Sequence, residues 1–243
     1  MQVPPDSIEL HNAVQRAYYA KRKSRMDPRR SRYLERHIDE LWRFADLAPG
    51  QRVLEVGPGQ GRYSLSLADR GLKLEVLELV PEMLELIESA RDGREIVLHQ
   101  GDVLAPPASV QPGFDAVIGF FALHHMHDPP GCLASMARLL RPGGALAMLE
   151  PNAYNPLYYL QIALSPDITW AGDRGVVEMR SGSLRRALEA AGLDDVRIER
   201  FGFFPPAIAN RPRGAALEHA LEGLGALEPV LPFQLLGGRA PGG

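Results

Sequence analysis

Between Arg52 and Ala68 the chain passes from a short apolar run, through three glycines at alternate positions, into residues at helical spacing. Val53, Leu54 and Val56 suit a strand buried on both faces. Gly57, Gly59 and Gly61 then form a turn where backbone can approach a ligand closely, because glycine lacks a Cβ and reaches positive φ at little cost. The helix expected to follow would point unpaired N–H groups and a partial positive charge back at that turn. The dinucleotide fingerprint Gly-x-Gly-x-x-Gly puts its third glycine where this chain has Arg62. Here the spacing is Gly57-x-Gly59-x-Gly61, and Glu55 stands two places ahead of the first glycine.

Further strand signals follow at regular intervals. Leu74, Val76 and Leu77 suit a second buried strand, which ends at Glu78, and Pro81 can open a helix at its first position. A carboxylate at that strand end offers two oxygens to two vicinal hydroxyl donors, as a ribose would present. Glu75 is a competing acid but falls mid-strand. Ile96–Gln100 is a third strand, running into Gly101-Asp102-Val103. Phe114–Phe121 is a fourth, followed by Ala122-Leu123-His124-His125-Met126-His127-Asp128. Leu139–Gly144 reads as a helix end and a tight Pro-Gly-Gly turn before a fifth strand, Ala145–Glu150. A helix over Ser181–Ala191, an alternating strand Val196–Phe201, a helix near Ala215–Leu224 and a last strand, Pro232–Gly237, complete the order. Strands alternating with helices predict a mainly parallel sheet covered on both faces.

Four of these segments, in this order, resemble the motifs of the class I S-adenosylmethionine (SAM) dependent methyltransferases, on the small-molecule branch of the type 11 and type 25 kind. They are Glu55-x-Gly57-x-Gly59-x-Gly61, Gly101-Asp102, the stretch FDAVIGFFALHHMHD and the stretch LLRPGGALAMLEPN. The resemblance implies a doubly wound Rossmann-like α/β sheet of seven strands with the last antiparallel and helices on both faces. It implies one domain: an N-terminal helical lid over residues 1–47, a SAM-binding core over 48–150, and acceptor-side insertions and C-terminal strands over 151–243. It also implies that Glu55, Gly57, Pro58, Gly59, Gly61, Leu79 and Met83 belong to the SAM-binding site, and that Glu78 accepts from the ribose hydroxyls. Gly101, Asp102 and Val103 would read the adenine, and Phe120 would cover adenine or methyl donor. The activity implied is methyl transfer from SAM to an O, N or C nucleophile, leaving S-adenosylhomocysteine (SAH). His125, then His124, is the candidate proton acceptor, a role suited to an imidazole pKa near ~6.5. Tyr19 (or Tyr18) enters as a partner to that histidine by resemblance alone.

Other readings stay open at this point. Lys21–Arg25 and Arg29–Arg32 form a basic cluster that is either a solvated helix face or a grip for an anionic acceptor such as RNA or an anionic lipid. A helix start is signalled by Asp27-Pro28, with Leu34, Ile38, Leu41, Trp42 and Ala45 on one apolar face. A nicotinamide dehydrogenase and a non-catalytic SAM-binding module are the remaining alternatives. Residues 150–175 carry polar and aromatic groups suited to part of an acceptor pocket for a small molecule, aromatic or anionic. The three histidines lack companions at ligand spacing and the single cysteine, Cys132, cannot build a zinc site, so no metal is expected. A net charge of −3 gives no reason to expect DNA as a partner. With no apolar run of spanning length and no signal-peptide pattern, the cytoplasm is the expected compartment.

Overall fold

The computed structural model describes residues 31–159 and 174–242, together with Ala13. Tyr18, Tyr19, the Asp27-Pro28 signal and most of the basic cluster lie outside these residues, as do residues 160–173 of the expected acceptor pocket.

Helix α1, Arg32–Ala45, starts at Ser31, whose side chain accepts a hydrogen bond from the Leu34 N–H at 3.2 Å. Its apolar stripe of Leu34, Ile38, Leu41 and Ala45 is buried as expected, with Trp42 only partly so; Phe44 and His37 are buried beside it. Then come β1 (Arg52–Val56), α2 (Arg62–Asp69), β2 (Lys73–Glu78), α3 (Pro81–Ala90), β3 (Ile96–Gln100) and β4 (Phe114–Phe120). After a 3₁₀ turn at Leu123–His125 follow α4 (Pro129–Leu139), β5 (Leu140–Pro151), a 3₁₀ turn at Arg174–Glu178, α5 (Ser181–Ala190) and β6 (Asp194–Phe201). The chain continues through α6 (Pro206–Ala209), α7 (Pro212–Glu222) and a 3₁₀ turn at Glu228–Val230 to β7 (Phe233–Arg239).

The seven strands form one sheet in the order β3-β2-β1-β4-β5-β7-β6. The first five run parallel, and β7 is antiparallel to both β5 and β6. Alternation along the strands feeds two cores. Val53, Ala116 and Ile118 face Leu34, Ile38 and Leu41 of α1, whereas Leu54 and Val117 face Leu133 and Met136 of α4 and Leu184 and Leu188 of α5. Among the described residues, no helix is long and apolar enough to cross a membrane.

One local feature differs from the sequence expectation. Pro142-Gly143-Gly144 is not a turn ahead of the strand but a bulge inside β5: Leu140 pairs with Phe114, and regular pairing resumes with Ala145 opposite Ala116. Gly143 there has φ +72°, and a Cβ on Gly144 would meet three backbone carbonyls within 3.2 Å. Glu75 is held mid-strand as expected, between Arg52 (2.7 Å) and His99 (2.8 Å), and serves the sheet's β3 edge. Asp115 likewise anchors structure, accepting from the Arg52 N–H and from Arg141.

β7 passes so close to its neighbour that a Cβ on Gly237 would overlap the Leu146 carbonyl oxygen. Backbone cannot retreat there without opening the β5–β7 ladder. Gly237→Ala is therefore expected to cost about 1–3 kcal/mol, read from the urea midpoint at unchanged m.

Candidate active site

A cavity of about 440 Å³ opens where the carboxyl ends of β1, β2, β3 and β4 meet. This is the crevice of a doubly wound sheet, where connections leave β1 and β4 in opposite directions. Gly57, Pro58 and Gly59 form one side, Glu78, Leu79 and Met83 the next, Gly101, Asp102 and Val103 a third, and Phe120 and His125 line it as well. Eleven residues singled out from sequence thus share one wall.

The glycine turn has the geometry its composition implied. Gly57, Gly59 and Gly61 have φ of +66°, +55° and +78°. A Cβ on Gly57 would lie 2.8 Å from Ala122 Cβ, whereas one on Gly59 would meet nothing within 4 Å. Gly57 is therefore required by packing of β1's exit against β4's, and Gly59 faces open space. Glu78 braces the same turn: one oxygen accepts the Gly59 N–H at 3.0 Å and the other the Val80 N–H at 2.9 Å. Burial raises its pKa, and those backbone N–H groups oppose the rise. Asp102 Oδ1 accepts the Leu104 N–H at 2.9 Å, which closes the loop after β3.

Three expected site residues stand elsewhere. Gly61 is the N-cap of α2, and its missing Cβ makes room for Ile87, 2.6 Å from the ideal Cβ position, so it serves helix packing and not the wall. Glu55, 1% exposed, lies behind the wall with its carboxylate accepting the Ser64 hydroxyl at 2.5 Å. His124 is also buried behind it: its Nδ1 donates to Glu150 at 2.6 Å, and a Cβ on Gly175 would overlap its carbonyl. Tyr19 lies outside the described residues.

Glu150 opens the stretch expected on the acceptor side, but its sequence context gives it no role of its own. At the end of β5 and fully buried, its carboxylate accepts the backbone N–H groups of Ala122, Leu123 and His124 at 3.0, 2.7 and 3.4 Å, besides the His124 ring. It thereby fixes the turn that carries His125, whose ring centroid is 3.9 Å from that of His124. Tyr63, Met126, His127 and Cys132 also line the cavity without having been assigned a place there. The Cys132 thiol is pushed well up by burial, with Asp102 and Asp128 adding to the effect, and is therefore not a nucleophile.

A methyltransferase-domain family model matches residues 26–198. The chain belongs to the class I SAM-dependent methyltransferases. It is 27% identical over 188 residues to a ubiquinone biosynthesis O-methyltransferase of Idiomarina loihiensis, covering 74% of each chain. It is 33% identical over 129 residues to a demethylmenaquinone methyltransferase of Deinococcus radiodurans, covering 49% of this chain and 53% of that one. Among solved structures, a possible histamine N-methyltransferase of Thermotoga maritima matches 85% of this chain and 91% of its own at TM-score 0.58 and 18% identity. The [4+2]-cyclase SpnF matches 98% and 96% at TM-score 0.59 and 20% identity. These likenesses to solved structures are of fold, and the cyclase illustrates that the fold also carries other chemistry.

The buried Glu55 makes stability depend on pH. Desolvation raises its pKa from 4.5 to about 7; the Ser64 bond opposes this and the Glu78 charge adds to it. The folded protein then holds a proton that the unfolded chain releases above about pH 4.5, so stability present at low pH is lost as pH rises through 7. Melting temperature is expected to fall between about pH 5 and 7.5, and Glu55→Gln to flatten that fall; the stability that Glu55 alone loses over this range is on the order of 3 kcal/mol.

Proposed function

We propose that the chain transfers the methyl group of SAM to an O, N or C nucleophile on a small-molecule acceptor, leaving SAH. The observation that carries this reading is Glu78 at the tip of β2, beside the glycine turn and across the cavity wall from Asp102 at the tip of β3. These residues fit SAM. Each Glu78 oxygen keeps a second lone pair for a ribose hydroxyl after accepting its backbone N–H. The open space at Gly59 admits the methionine end, and Leu79, Met83 and Val103 supply apolar contact for the adenosine, with Asp102 set to accept from the adenine amino group. When bound, SAM supplies an electrophilic methyl on a positively charged sulfur.

The chain's own part is alignment and proton removal. Phe120 closes the methyl end of the cavity, and alignment of the partners accounts for most of the rate gain such a site can supply. His125 takes the acceptor's proton where the nucleophile is protonated, and the Glu150–His124 anchor keeps it facing the cavity. Tyr19 is its proposed partner on the resemblance alone. The division into a lid over 1–47, a core over 48–150 and an acceptor side over 151–243, and a cytoplasmic setting, belong to the same proposal. No metal is part of it. The quinone-pathway names of the two relatives favour an aromatic acceptor over RNA.

Isothermal titration is expected to give micromolar binding of SAM and SAH and no heat with NADH; binding of NADH alone would overturn the reading. Glu78→Ala should weaken SAM by about 10- to 100-fold, the range for losing hydrogen bonds to a charged group. His125→Ala should lower kcat by roughly 10²–10⁴-fold while SAM affinity stays unchanged. Full activity in that variant, measured as SAH release at saturating substrates, would remove His125 from the mechanism. Absence of SAH release with every acceptor, despite tight SAM binding, would favour a binding module or a non-methylating activity.

A further inference from the structure

Behind the cavity wall, on the side of α1, lies a cluster of aromatic rings with one imidazole inside it. His37 is 2% exposed, and its ring centroid lies 4.4 Å from Tyr33, 4.7 Å from Phe233 and 5.3 Å from Phe121. Its Nδ1 is 2.9 Å from the Tyr63 hydroxyl, while its Nε2 has no hydrogen-bond partner among the described residues. Burial, reinforced by the Arg36 charge, lowers its pKa to about 3, so the ring is neutral at any working pH. Arg36 itself is taken up by Glu218 and Glu222, at 2.5 and 2.6 Å.

For stability alone, an imidazole is a poor choice here. A buried ring nitrogen left without a partner costs more than one ordinary hydrogen bond returns. A phenylalanine would fill similar space, add to the ring contacts and leave no orphan. What the imidazole provides, and a phenylalanine cannot, is a fixed partner for the Tyr63 hydroxyl. Tyr63 is part of the cavity wall: its ring stacks on Phe120 with centroids 4.1 Å apart and planes within 4°. Phe121, just past the end of β4, lines the wall too, although consecutive residues of an extended chain ordinarily point to opposite sides. It does so because it adopts φ +52°, a conformation uncommon for a bulky residue and typical of sites where function maintains strain.

We propose that His37 is a positioning residue that acts through Tyr63, holding the Tyr63–Phe120 ring surface beside Phe121 as a slot for a planar, uncharged aromatic acceptor. His37 is neutral, and burial keeps the Tyr33 and Tyr63 phenols protonated, so the rings of this cluster carry no charge of their own. The proposal rests on the methyl-transfer reading and names the acceptor class for that same cavity.

The test uses the full chain with three catechols that carry the same nucleophile and differ in charge: 4-methylcatechol, 3,4-dihydroxybenzoate and dopamine. SAH release should give the highest kcat/KM with 4-methylcatechol. His37→Phe should keep SAM affinity within about twofold and hold or raise Tm, yet raise the catechol KM at least tenfold, and Tyr63→Phe should do the same. His37→Gln, which can again bond the Tyr63 hydroxyl, should recover most of the loss. Unchanged catechol kinetics in His37→Phe would overturn the proposal, as would a parallel loss of SAM affinity or a preference for a charged catechol. If no catechol is methylated, calorimetric binding of 4-methylcatechol to the SAH complex replaces KM, and absence of that binding also overturns it. Failure of SAM to bind at all would instead sink the methyl-transfer reading, while 4-methylcatechol binding would still report on the slot.

Discussion

β1 is hydrogen-bonded along both edges, to β2 on one side and to β4 on the other, and the whole site follows from that placement. A strand buried on both faces and paired on both edges cannot shift, so its exit point is fixed. The connections on its two sides part company at that exit, which leaves the crevice between them. Gly57 sits at the parting, where a side chain would strike Ala122 of the neighbouring exit. The glycine turn, the acids at the strand tips and the histidine turn are all located relative to this one strand.

Three buried carboxylates at the same end of the sheet do different work because the fold gives each different partners. Glu78 and Glu150 are surrounded by backbone N–H groups, which compensate a buried charge. Glu55 has a single hydroxyl and a negative neighbour, so it favours the protonated form up to about pH 7. One acid therefore braces the turn that meets the ligand, one fixes the loop that carries the histidines, and one tunes how tightly the strand exit is held as pH changes.

The sequence made the parallel strands, the glycine turn and Glu78 readable because each is encoded in a contiguous stretch with its own spacing. Glu150 escaped because a carboxylate's role depends on which N–H groups surround it, and those come from residues 122–124, brought near by β4–β5 pairing. His37 and Tyr63 belong to different helices, and no periodicity links them. Gly61 completes the motif, and its missing Cβ also makes room for Ile87, a partner that the motif does not reveal. His124 and His125 are indistinguishable as adjacent letters; the 3₁₀ turn sends one toward Glu150 and the other to the cavity. Pro-Gly-Gly has the same composition in a turn and in a bulge, and only the β4–β5 pairing tells the two apart.

β7 follows β6 in the chain yet inserts between β6 and β5. Until Phe233–Arg239 emerges during synthesis, both flanking strands must wait with unsatisfied edges, and the aromatic cluster lacks Phe233. The nascent chain can assemble its parallel half early, but the half that walls the aromatic side closes only when its last strand arrives. A ribosome-bound intermediate of this protein would therefore present two open strand edges at once, the kind of surface on which chaperones and neighbouring chains compete.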